Sequence, residues 1–544
     1  MSRSPFSVWV ALSLLCVTGW LGLTSNRPLL LPDEPREAAI TLEMARGQDL
    51  LVPRLNGQPF VEKPPLMYLL GSSLVRLAGS TSPWLLRLPQ TLSMLATLWL
   101  VYVLGRRLGG APAGWASACV LFTTNLFLMN GTKLVVDSGL MLFTAAAIAA
   151  TLTWWFAERH AALGWAVVAA ACLAAAVATK GPAALLFPVA AWAWPVLSDL
   201  RRGWRRPLQL ALIGVLALAP LVAWAIALEH AGGRGLVEEA LVRTSWGRFA
   251  HGELGHRNSP LYYLTLGPGL LVPWTLILLV AIAALARSAL GTTDARRATI
   301  ARMLIGWAAG SLVLLSIPAA KRGLYALPAM PAWSVIGGWW LAQRMQDERL
   351  RGVGRWCIAL TAGIAGAGSL AAAVYLPSVG AWWGVVAVIP GAALLALALD
   401  RRTLARPAWS IQAGLAATVL AAAVVSPPLL KSEHDPDTSI DVARRSLPQA
   451  RARTDRVLGY GLSERGRSVV CLSLGGTVPE IDERLPPSAA AVVADGKTLL
   501  ISEGELPMAM VRQLQKYAEL SPPERSPIGR ERYLFAYVLA ARRP

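Results

Sequence analysis

Apolar residues along this chain come in long unbroken runs rather than at every second or third position. Runs of spanning length lie at about 7–24, 84–104, 112–130, 134–156, 162–179, 182–198, 207–228, 261–286, 300–317, 324–343, 356–376, 381–399 and 407–426. A helix needs about 20 such residues to cross the hydrocarbon core of a bilayer, so the pattern predicts thirteen membrane-spanning helices. One further run, LMYLLGSSLVRLAG (66–79), is too short, and its Arg76 argues for a helix lying in the interface. The first run reads as an uncleaved span, because no small-x-small cleavage site follows it. Beyond residue 426 the pattern changes. RVLGYGL (456–462), SVVCLSL (468–474) and YLFAYVLA (533–540) are strand-like, and AAVVADGKTLLIS (490–502) reads as a hairpin around Asp495-Gly496. PMAMVRQLQKYAEL (507–520) reads as a helix with Pro507 at its start. The expected fold is an α-helical polytopic membrane domain over 1–426, with long loops at 25–83 and 229–260, followed by a small α/β domain over 427–544.

Composition agrees. Of 544 residues 55% are apolar and 15% charged, more apolar surface than a soluble chain of this length can bury. The 22 tryptophans suit membrane interfaces. A net charge of +19 raises the question of nucleic acid, but the arginines stand in short blocks between apolar runs, which points to lipid headgroups instead. Cys16, Cys119, Cys172 and Cys357 fall in apolar runs and Cys471 stands alone, so neither a disulfide framework nor a zinc spacing emerges.

Charge also assigns the sides. With the N-terminus inside and 66–79 not crossing, the inner loops carry eighteen Lys/Arg, in GRR (105–107), Arg159, RRGWRR (201–206), the arginines at 287–302 and 344–355, and 401–406. The short outer loops carry Lys133, Lys180, Lys321 and Arg322. Positive charge concentrates on cytoplasmic loops, so loops 25–83 and 229–260 and the tail are expected on the outer face.

The chemistry gathers on that outer side. LPDEPREAAI (31–40) puts Asp33, Glu34, Arg36 and Glu37 immediately after the first span, with Asp33 and Glu37 on one helical face. FVEKPPL (60–66) adds Glu62 and Lys63. Asp137 opens a later span, where an ionisable residue is expensive and reads by default as functional. Lys180, then Lys321, Arg322 and Tyr325 in KRGLYALPAMP, end spans on the same side, and the second loop contributes Arg243, Arg248, His251 and His256. Each has a plainer account alone: a solvated loop, a snorkelling cation, surface histidines, Asp137 paired with Lys133. Together, carboxylates and cations on one membrane face suit a lipid phosphate with a carboxylate beside an acceptor.

These motifs, DExR after the first span, EKPPL some thirty residues on, an Asp opening a later span, an RF…H loop and K…Y.LP..P late in the chain, resemble those of the bacterial aminoarabinose transferases of lipid A. That family belongs to the GT-C-type glycosyltransferases using polyprenyl-phosphate sugars. The resemblance covers roughly residues 5–345 and implies a GT-C fold. It implies an inverting transfer of a sugar from undecaprenyl phosphate to lipid A or a related envelope acceptor. By it, Asp33 matches the catalytic-loop Asp, Arg36 its neighbour, Glu62 and Lys63 the EK pair with Lys63 on the carrier phosphate, Asp137 an active-site Asp, Arg248 a loop Arg and Tyr325 a tyrosine near that phosphate. No cofactor is required by it beyond the lipid-linked donor, although a divalent ion on Glu62, His251 and His256 is implied for some members. The chain departs from the pattern in reading DEPRE where relatives often carry an aromatic after Arg, and in lacking histidine in its late spans. A lipid flippase would need polar residues along its spans to the inner side, and a sensor reading through the tail would not need Asp33 and Lys63. Transfer to protein or to another glycan stays open as an alternative.

Overall fold

The computed structural model describes residues 29–47, 49–130, 133–199, 203–247, 257–272, 274–346, 440–481, 492, 496–528 and 532–541. The spans expected at 7–24, 356–376, 381–399 and 407–426, and the loop residues Arg248, His251 and His256, lie outside them. Among the described residues, five helices are long and apolar enough to cross a membrane, or six if a pair bent by 112° at residues 270–275 is one span. The first, Pro83–Thr123, is interrupted at Gly109 and Gly110, the latter at φ 78°. Thirteen residues of unbroken helix would hold Tyr102 and Trp115 about 20 Å apart, yet their rings meet at 4.9 Å. The chain therefore doubles back there, and the runs 84–104 and 112–130 pack side by side as the sequence predicts.

Three helices organise the site: α1 (Asp33–Arg46), α2 (Leu66–Ala78) and α3 (Glu464–Leu474). With 13 residues, α2 has the short length expected of the run 66–79. It lies hard against its neighbours because two positions lack side chains. A Cβ on Gly71 would come within 2.8 Å of Thr41 Cγ2 on α1, and one on Gly139 within 2.4 Å of Met67 Sδ on α2. Arg76 donates to the carbonyls of Met44, Ala45 and Gly47 and so closes the C-terminal end of α1.

Between α1 and α2, Asn56 (φ 55°) and Gly57 (φ 78°) turn a two-residue hairpin that pairs Leu55 with Gln58. That turn aims the Asn56 side chain at the C-terminal unit. Its amide donates to Val478 O (2.8 Å) and Glu480 Oε1 (2.6 Å) and its oxygen accepts from Val478 N (2.6 Å).

The C-terminal unit is an α/β sheet of six strands. Their order is Glu480–Ile481, Arg456–Tyr460, Lys497–Glu503, Tyr533–Ala541, Ala518–Leu520, with Glu524–Pro527 also pairing with Tyr533–Ala541. Two expectations change here. SVVCLSL is helical, as the second half of α3, which starts at the Ser463 cap and stops at the left-handed Gly475. The strand Lys497–Glu503 is not one arm of a hairpin about Asp495-Gly496. Both its edges are taken, in parallel by Arg456–Tyr460 and in antiparallel by Tyr533–Ala541. The helix expected over 507–520 is present as Met508–Gln515, and its last residues, Ala518–Leu520, are a strand instead. The sheet unit shares an apolar core with the first loop, in which Ala38, Leu42, Val75 and Leu85 pack with Ile440, Val469 and Val470.

Candidate active site at the ends of the helices

Arg36 is the centre of the first group. Its Nη2 donates to Asp33 Oδ1 (3.4 Å) and Glu37 Oε1 (3.2 Å), while Nη1 donates to Glu464 Oε2 (3.1 Å) and lies 3.9 Å from Glu62 Oε2. The guanidinium also stands over the Phe60 ring, 5.7 Å from its centroid. Glu37 is 2% exposed and meets Lys63 Nζ through Oε1 and the Tyr68 hydroxyl through Oε2 (2.7 Å). Arg322 Nη2 donates to Asp33 Oδ2 at 2.8 Å. Burial by itself would raise the Asp33 pKa. The charge and hydrogen bond of Arg322, then Arg36 and Lys63, outweigh it and hold the carboxyl at about 2. Burial likewise acts against ionised Glu37, and Lys63 and Arg36 keep it below the ordinary carboxylate value.

A second group adjoins. Lys180 Nζ donates to Asp137 Oδ1, and its ammonium sits 4.5 Å from the centroid of the Tyr325 ring. Arg322, bonded to Asp33, is also within electrostatic reach of Tyr325 and Asp137, so the two groups are continuous. Asp137 thus pairs with Lys180 and not with Lys133. All of this lies at one end of the membrane helices. Asp137 begins the helix Asp137–Trp155, a rise of about 28 Å. At its other end Arg107 bonds Thr153, Arg206 covers Trp155 and Arg296 covers Phe156. The basic blocks and the mixed-charge cluster therefore occupy opposite ends of one helix.

Not every expected residue joins the cluster. Glu34 is turned to the other side of α1, 1% exposed. Its carboxylate takes both Nε (3.0 Å) and Nη2 (2.8 Å) of Arg87 and the backbone N–H of Leu30 and Leu134 (2.7 Å each). A carboxylate held by these partners is a structural tie between α1, Arg87 and the backbone, on the far side of α1 from the Arg36 group. Lys321 is 2% exposed with its ammonium on the carbonyls of Asn258 (3.2 Å) and Pro318. It pins the segment after the second loop instead of facing the cluster. Arg243, exposed, lines a cavity of about 320 Å³ together with Phe60, Glu62, Glu464 and Arg467. Of the suggested metal set only Glu62 is described, and its carboxylate faces the Arg36 cation. Among the described residues no three His, Cys, Asp or Glu are grouped as a metal centre.

Four participants escaped the sequence: Arg87, Tyr68, Asn56 and Glu464. Arg87 carried a usable signal, a charge inside an apolar run. Asn56-Gly57 is a hairpin signature. Glu464 reaches Arg36 from 428 positions away, and nothing local announces that.

The architecture is the GT-C fold of a membrane protein. By structure the chain is similar, over 98% of both chains with a TM-score of 0.78 and 20% identity, to ArnT from Cupriavidus metallidurans bound to undecaprenyl phosphate. It is similar over 91% of this chain and 69% of the other, TM-score 0.52 and 11% identity, to the archaeal oligosaccharyltransferase AglB from Archaeoglobus fulgidus. Residues 62–226 match the family described as dolichyl-phosphate-mannose-protein mannosyltransferase. In sequence the chain resembles the undecaprenyl phosphate-alpha-4-amino-4-deoxy-L-arabinose arabinosyl transferases of Edwardsiella ictaluri (27% identity over 62% of this chain) and Pseudomonas aeruginosa (28% over 65%). The matched stretches span 60% and 63% of those relatives. The resemblance drawn from DEPRE and EKPPL is thus borne out.

Proposed function

We propose that this chain is an inverting glycosyltransferase of the bacterial inner membrane. It moves a sugar, aminoarabinose, from undecaprenyl phosphate to lipid A or a related envelope acceptor at the periplasmic face. The observation that carries this reading is the continuous cluster of Asp33, Arg36, Lys63, Arg322, Asp137, Lys180 and Tyr325 at one end of the membrane helices. The relatives named for this donor and the GT-C fold support it. So does the gathering of basic blocks at the opposite helix end, which fits thirteen spans with loops 25–83 and 229–260 and the 427–544 domain outside.

In this reading the acceptor oxygen attacks the anomeric carbon, the bond from that carbon to the phosphate oxygen breaks, and its electron pair leaves with the prenyl phosphate. Lys63 and Arg322, with Arg36 behind them, stabilise the charge that develops there, the kind of preorganised electrostatics that is often the largest catalytic contribution. Arg243 borders the same region, lining a cavity with Glu62 and Glu464, and Arg248 of the same loop is assigned to the carrier by the resemblance alone. Lys180 and Tyr325 flank this site, and Asp137 orients Lys180. Asp33 is ionised at neutral pH, but a carboxylate with a pKa of about 2 is a poor proton acceptor. It suits an acceptor that needs no deprotonation, such as a phosphate group of lipid A, which it orients through Arg36 and Arg322. No step is assigned to a metal.

The test is mass spectrometry of lipid A and other envelope glycans from cells with the protein, without it, and with Asp33→Asn. The expected result is an added amino-pentose on lipid A that disappears in the last two. Identical glycan profiles in all three would overturn the proposal, and a changed protein or polysaccharide glycan with unchanged lipid A would move the acceptor.

A further inference from the structure

Glu37 is a buried carboxylate that the transfer step leaves unused. It nonetheless sits against two cations of the proposed carrier-phosphate site, Lys63 at 2.5 Å and Arg36 at 3.2 Å, with its second oxygen fixed by Tyr68 at 2.7 Å. Both Glu37 and Tyr68 are 2% exposed, so the carboxylate is held in place rather than free to swing away when a ligand arrives. Lys63 and Arg36 keep it ionised against its burial. Asp33, Glu62 and Glu464 also surround Arg36, but Asp33 and Glu464 are more exposed, at 22% and 45%, whereas Glu37 is buried and pairs with Lys63 as well.

The reaction changes the charge of what lies beside it. The donor is a phosphodiester with one negative charge. When the bond to the sugar breaks, the electron pair stays on the phosphate oxygen and the product is a monoester. Its second pKa is about 6, so it carries nearly two charges at neutral pH. A site made only of cations holds the doubly charged product more tightly than the singly charged donor, since attraction scales with charge. Such a site fills with its own leaving group.

We infer that Glu37 is a specificity-determining residue, a fixed negative charge that weakens the hold of Lys63 and Arg36 on a prenyl-phosphate monoester more than their hold on a phosphodiester. This rests on the proposed function and adds to it how the site distinguishes spent carrier from loaded carrier. Specificity of this kind is a difference of affinities, obtained by penalising the unwanted ligand.

The experiment measures binding of undecaprenyl phosphate and of its methyl ester, which has the donor's single charge, to the full-length protein in lipid nanodiscs at pH 7.5. The wild type should bind the two within about threefold of each other. Glu37→Gln retains an amide able to meet Lys63 and Tyr68 and removes the charge. It should tighten the monoester about tenfold and the methyl ester less than threefold, with product inhibition of turnover deepening in step. Wild-type preference for the monoester of tenfold or more would overturn the inference without any variant, so a Glu37→Gln protein that fails to fold does not protect it. Equal shifts for both ligands in Glu37→Gln would overturn it too, since a merely structural role moves both together. If neither lipid binds the wild type, the proposed function falls and takes this inference with it.

Discussion

Glu34 and Glu37 stand one turn apart on α1, both buried, and they face different chemistry. Glu34 looks into the fold, where Arg87, itself 1% exposed, and two backbone N–H groups bond both of its oxygens. Glu37 looks outward, toward cations whose own side chains are partly open, Arg36 at 16% and Lys63 at 13%. Neither residue type nor burial separates them. What separates them is whether the partner has anything left to offer a ligand. The Arg87 guanidinium is locked into a bidentate pair, whereas Arg36 is shared among several carboxylates and Arg322 meets Asp33 at the rim of a cluster that borders solvent.

The sharpest way to break this contrast is to strand one charge of the inner pair. Glu34→Ala or Arg87→Ala leaves a buried ion uncompensated, which costs about 3–5 kcal/mol. We expect folded, inserted protein to collapse in yield, and a Glu34→Gln/Arg87→Met double variant to recover much of it. If both alanine variants are purified with wild-type thermal stability, the inner pair is not the structural tie described here.

On the outer side the large effect should fall on activity. Asp33→Asn keeps shape and an oxygen for Arg322, so transfer should drop by orders of magnitude with an unfolding midpoint within a few degrees of wild type. Lys63→Ala should also abolish transfer, and Lys63→Arg should restore little, because a guanidinium does not replace a compact ammonium. Wild-type turnover in Asp33→Asn would return DEPRE to an ordinary solvated loop.

Smaller is the loss from Asn56→Ala, which removes hydrogen bonds to Val478 and Glu480 and leaves backbone groups unmet. About 2 kcal/mol is the expected scale, read as faster limited proteolysis between the membrane helices and the sheet unit with the Arg87 side unaffected. Unchanged cleavage would show that the apolar contact alone holds the two together.

The smallest effect concerns acid. The folded-state pKa of Asp33 lies at about 2, below its ordinary 3.8, so its contribution to stability is complete above the higher value and lost as pH falls through the lower. Allowing for its partial exposure, the contribution is about 1–2 kcal/mol. The stability difference between wild type and Asp33→Asn should therefore shrink between pH 5 and pH 2.5. A constant difference over that range would mean that Asp33 is not held ionised by Arg322.

Much of this was legible because it is local. Long apolar runs announce helices wherever they occur, and the shortness of 66–79 announced α2. Asp33, Arg36, Glu62 and Lys63 were visible as charges gathered in the loop directly after the first apolar run, and Asp137 as a charge at the start of a later one. What a sequence does not carry is direction across distance. Glu34 and Asp33 are neighbours in the chain, yet only the packing of Arg87 against one side of α1 decides which of them leaves the cluster. SVVCLSL reads as a strand by its β-branched residues, but the Ser463 cap and Gly475 stop frame it as a helix, and the sheet order leaves no place for it. Glu37 was visible only as a residue sharing a helical face with Asp33. Its contacts with Lys63 and Tyr68 come from two other segments and make it the more deeply set of the two.

The bond between Arg36 and Glu464 also has a place in time. A ribosome adding about 5–20 residues per second needs roughly 20–90 s to travel the 428 positions that separate them. During that interval the first loop has already been made, and its arginine waits without the carboxylate that the C-terminal unit will bring. The charge cluster is therefore finished only after the last domain has been delivered and has folded onto α1. A chain whose synthesis is interrupted before that point has its membrane helices but an incomplete cluster. The order of manufacture thus acts as a check that only whole molecules acquire the finished site.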